Sequence, residues 1–89
     1  MSEADALRLH PRVRYRAVGD ELGVLIHLER GTVVTMNAQA ARTLGLIAEL
    51  GSRAAVVAAV AAEHDLAAAQ VDADLEPFLA ELREQEILR

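Results

Sequence analysis

The sequence predicts an α+β domain in which a three-stranded antiparallel sheet is followed by three helices. Three observations carry this. Apolar and polar side chains alternate with a period of two in the runs between Arg12 and Met36. From Ala38 onward, apolar residues recur at helical spacing. Turn and cap residues (Gly19, Gly31, Asn37, Gly51, Ser52) separate the runs. Strands grouped before helices are the mark of an α+β chain, and three small helices beside a small sheet make a winged-helix-like unit.

Residues 1–10 have no period and read as a flexible arm ahead of a single domain at 11–89. "RVRYRAV" alternates, with Val13, Tyr15 and Ala17 on one face and Arg12, Arg14 and Arg16 on the other, as in a half-buried strand. "GDELG" supplies a turn. "VLIHLE" is the second strand, with Val24, Ile26 and Leu28 opposite Leu25 and His27. "ERG" closes a hairpin, Gly31 being able to take positive φ. "TVVTM", Thr32 to Met36, is a β-branched third strand.

Asn37 is placed to cap a helix over Ala38–Leu50, whose buried stripe is Ala41, Leu44, Ile47 and Ala48. Gly51 ends that helix and Ser52 caps the next, which runs from Arg53 to His64 and buries Val56 or Val57, Val60 and Ala61. "DLAAAQ" reads as a connection. The third helix carries Val71, Leu75, Phe78, Leu79 and Leu82. Pro77 fits its first turn if Asp74 is the N-cap, and kinks it if Asp72 is. "EILR" reads as a short extended tail.

Composition excludes several function classes. The 89 residues suffice for one domain, 53% hydrophobic and 2% aromatic. Without cysteine there is neither a disulfide framework nor a thiolate metal site. Met1 to Arg8 is polar and acidic, and no apolar run approaches the ~20 residues of a membrane span. A cytoplasmic protein without a membrane partner is expected. His10, His27 and His64 have no metal-ligand spacing, and they read as surface or hydrogen-bonded side chains. The serines, Ser2 and Ser52, offer little for a nucleophile, and no phosphate loop occurs. Neither an enzyme nor a cofactor or metal site is expected.

Net charge is −5, and all nine basic residues are arginines. Arg12, Arg14 and Arg16 could meet phosphate, or could form the solvated face of an edge strand. A winged-helix topology invites a DNA-binding regulator as the alternative function. The third helix would then face phosphates, yet it carries Asp72, Asp74, Glu76, Glu81 and Glu84, which oppose nucleic acid. In a meander the third strand is an edge, and Thr32 to Met36 holds no charge to guard it. Either a helix or a homodimer mate covers that edge, or an incoming peptide pairs with it by β-augmentation.

"HPRVRYR", "GVLIHLERGTVVTMNAQAARTLGLI" and "VDADLEPFLAELREQEIL", in this order, resemble the coenzyme PQQ synthesis protein D family. That family defines the RiPP recognition element, which binds leader segments of ribosomally made, modified peptides. The resemblance implies non-catalytic binding of a precursor's leader as an extra strand, presenting its core to a separate radical-SAM enzyme or leader peptidase. Carried over, the docking backbone is Thr32, Val33, Val34, Thr35 and Met36. The opposite wall is Val71, Asp74, Leu75 and Phe78, with acidic Asp74 favouring a basic leader residue.

Overall fold

The computed structural model describes residues 5–89. Strands β1 (Val13–Val18), β2 (Leu22–His27) and β3 (Thr32–Asn37) precede helices α1 (Ala38–Leu50), α2 (Arg53–His64) and α3 (Ala68–Glu84). The sheet is antiparallel in the order β1-β2-β3, so β2 is central. Its register pairs Tyr15 with Leu25 and Leu25 with Val34. Directly paired residues share a face, which puts Val13, His27 and Thr32 on the inner face with Tyr15, Leu25 and Val34. Gly31, at φ +69°, closes the β2–β3 hairpin by donating its N–H to the His27 carbonyl.

Helix limits follow from local caps. The Asn37 side chain accepts from the Ala40 N–H, and the Ser52 side chain accepts from that of Ala55. Gly51 adopts the left-handed conformation that ends α1. α1 packs on all three strands and on α2, and α2 packs on α3. Because α1 meets two partners its buried face is wider than one stripe. Thr43 and Leu46 are buried with Leu44 and Ile47, whereas Ala48 is exposed. Both Val56 and Val57 of α2 are buried.

Gly23 sets the spacing between α1 and the sheet. A Cβ there would lie 2.6 Å from the Ala41 Cβ and 3.2 Å from the Met36 Cγ. Ion pairs lock the helices from outside. Arg42 binds Glu63 across α1 and α2, and Arg53 of α2 binds Asp72 and Glu76 of α3. Arg42 donates hydrogen bonds to Glu63 and holds its carboxyl below the usual carboxylate range.

Further expectations are corrected. β1 is not half-buried, since only Val13 is covered and Tyr15 stays 39% exposed. Opposite Tyr15 and Ala17, α1 presents Ala38, Ala41 and Gly45, which are too small to cover them. The connection before α3 is shorter than "DLAAAQ", because the alanines, strong helix formers, start α3 at Ala68. Neither Asp72 nor Asp74 is its N-cap, a position held by Ala67, and Pro77 lies inside one continuous helix. Ala73, whose carbonyl loses its usual donor to the proline, is exposed, so water can satisfy it. Finally, "EILR" is packed rather than a free tail, with Ile87 at 2% and Leu88 at 5% exposure.

Residues 1–4 of the expected arm lie outside the described residues. The rest of it is tied down. Leu7 is buried and its N–H reaches the Gly51 carbonyl. Leu9 bridges Leu88, His10 donates to the Ile87 carbonyl, and Arg89 donates to that of Arg8. The two ends of the chain thus form a clasp. Buried His27 fastens it to the sheet: Nε2–H donates to the Glu86 carbonyl at 3.0 Å, and Nδ1 accepts from the Arg30 N–H at 3.3 Å. Among the described residues no single helix is long and apolar enough to cross a membrane.

Two stability predictions follow from these contacts. Gly23→Ala should lower unfolding free energy by about 1–3 kcal/mol in urea titration, as overpacking does; an unchanged midpoint would show that α1 can shift freely. His27→Leu is close in volume but strands the Glu86 carbonyl and the Arg30 N–H, and should cost about 1–3 kcal/mol. Equal stability of that variant would remove His27 as the fastener.

Candidate functional site

Two surface features stand next to each other. The first is the outer edge of β3, which has no strand beyond it among the described residues. In an antiparallel strand, alternate residues turn N–H and C=O away from their one neighbour. The β3 edge therefore offers unpaired backbone donors and acceptors, with no charged side chain between Thr32 and Asn37. The opposite edge, β1, carries exposed Arg14 and Arg16.

The second feature is a groove of about 610 Å³. One wall is the start of α1, with Asn37, Gln39, Ala40 and Thr43. The far wall is α3, with Val71, Asp74, Leu75 and Phe78, and the end of α2 closes it with Val60, His64 and Leu66. It opens because α1, not α3, packs on β3, so α3 stands away from the strand.

The nine residues singled out from sequence fall into two groups. Val71, Asp74, Leu75 and Phe78 all line the groove, while Thr32 to Met36 do not and instead form the adjoining edge. Within the first group, Val71 and Leu75 are core residues that form the floor. Phe78 is half-buried, packed on the core while facing the groove. Asp74 is exposed at the rim, where its Oδ1 accepts from Gln70 Nε2 at 2.9 Å. On β3, Val34 and Met36 turn half-buried toward the core, and Val33 and Thr35 point out to solvent.

Sequence reasoning missed the α1 and α2 sides of the groove. Leu66 had a signal: it is the large apolar residue in the short α2–α3 connection, and it is 48% exposed. Val60 and Asn37 were read as packing and capping, which they also do. The Thr43 hydroxyl donates to the Gln39 carbonyl within α1, so it is already satisfied. Of the polar side chains, Asp74 lines the groove from α3 and His64 from the end of α2. No three His, Asp or Glu side chains converge to hold a metal among the described residues. Asp72, Glu76, Glu81 and Glu84 are exposed on α3, the sign that repels a phosphate backbone.

Comparison with known proteins gives the same outline. No curated protein matches the chain. A solved structure, TbiB1 in complex with the TbiA(beta) leader peptide, is similar with a TM-score of 0.83 and 29% identity, covering 92% of this chain and 94% of that one. The sequence model of coenzyme PQQ synthesis protein D matches residues 23–88, from the second residue of β2 to the buried end of the chain. By that match, which spans well over half its length, the chain belongs to the coenzyme PQQ synthesis protein D family.

Proposed function

We propose that the chain is a RiPP recognition element: it binds the leader segment of a ribosomally made precursor without catalysing a reaction itself. A separate modifying enzyme, a radical-SAM protein or a leader peptidase, then acts on the core of the precursor. One observation carries this reading. The open edge of β3 runs, at Asn37, directly into the groove walled by α3. An extended peptide pairing with β3 would therefore meet a slot for its inward side chains. Similarity to TbiB1, whose structure holds a leader peptide, supports a leader peptide as the ligand.

The energetics suit a specific but releasable complex. Each added ladder hydrogen bond contributes roughly 0.5–1.5 kcal/mol. Each leader side chain buried on the Val71–Leu75–Phe78 floor adds ~1.5–3 kcal/mol. Ordering a flexible leader costs ~2–5 kcal/mol. The balance falls between micromolar and nanomolar affinity, with the groove anchors deciding where.

Titration with the leader segment of its precursor peptide should move backbone amide resonances of residues 32–36 and of α3. Shifts confined to other regions would overturn the docking mode. Asp74→Asn keeps an acceptor for Gln70 while removing the charge. It should weaken a leader bearing a basic residue by about two- to five-fold, the range of exposed ion pairs, and flatten the salt dependence of binding. Unchanged affinity and salt dependence would remove Asp74 from recognition.

A further inference from the structure

The outer face of the sheet, turned away from the groove, holds apolar side chains that nothing among the described residues covers. Across the strands its rows are Arg14–Ile26–Val33, Arg16–Val24–Thr35 and Val18–Leu22–Asn37. Ile26 is 41% exposed, and Val33, its partner on the open edge, is 65% exposed, the highest value among the exposed large apolar side chains. The fold does not require this. Val34 and Met36 are the β3 residues that pack on the core. Thr32 and Thr35, both exposed, show that β-branched polar residues satisfy the strand elsewhere. An apolar pair at an uncharged edge, Ile26 backed by Val33, is a surface waiting for a neighbour in the same sheet.

A strand added to β3 alternates its side chains between the two faces. Those on the inner side reach the groove. Those on the outer side extend the row Arg14–Ile26–Val33 by one position. We infer that the bound peptide is read on both faces, Val33 acting as a second specificity determinant beside the groove. The neighbour it selects is β-branched or aromatic, because such cross-strand pairs are favoured and a charged residue there would lose hydration against Val33 and Ile26. This inference rests on leader binding at β3. It makes the ligand class narrower: an extended segment with apolar residues in both phases, rather than a strictly alternating amphipathic strand.

The probe is a phage-displayed library of random peptides, selected on the full chain. The expected peptides carry apolar residues at both odd and even positions of one run. Val33→Lys should weaken them by about two- to five-fold, Val33→Ile should bind them as the parent does, and reselection on Val33→Lys should keep only one apolar phase. Since Val33 is exposed, neither change disturbs the core. Strictly alternating peptides, or affinities insensitive to Val33→Lys but lost in Phe78→Ala, overturn the outer-face contact and leave leader binding standing. Failure to select any peptide overturns both.

Discussion

The close approach of α1 to the sheet at Gly23 is the constraint on which the other contacts hang. Only a residue without a Cβ leaves room for Ala41 on the central strand. With that spacing, Leu44 and Ile47 reach the same core as Leu25. It also fixes where α1 begins relative to β3. The cap at Asn37 lies at the junction of strand and helix, so the first turn of α1 becomes a wall of the groove. A larger spacing would leave α1 unable to serve both as the cover of the sheet and as one side of the slot.

Much of the fold was legible because its boundaries are local. Asn37, Gly51 and Ser52 carry their cap chemistry in their own side chains or φ angles, so α1 begins and ends, and α2 begins, where these residues demand. The meander was equally readable, since period-two alternation and the Gly31 turn are short-range. What escaped was decided by distant contacts. Leu7, Ile87 and Leu88 are apolar residues without period, and only contacts with distant segments bury them. The start of α3 hid inside an alanine run that reads as easily as a linker. Pro77 argued for a break that an exposed turn makes unnecessary.

The site was legible in halves. Its α3 wall followed from the family resemblance, and its uncharged edge from the meander order. The third side, from the start of α1 and the end of α2, exists only where three helices converge, and no single stretch of sequence announces it. The edges of the sheet make a related contrast. β1 is guarded by arginines on its exposed face, while β3 has neither charge nor proline. A sheet that protects one margin and leaves the other bare has a preferred direction of growth.

The clasp between the two ends of the chain sits at the finish of α1, the start of α2 and the finish of α3. The groove lies at the opposite end of each of those helices. With α1 13 residues long, the two sites are about 20 Å apart. A tether attached after Arg89 would therefore leave from the pole away from the groove. Joined there to another protein, the chain could raise the local concentration of a captured peptide without the linker crossing the slot.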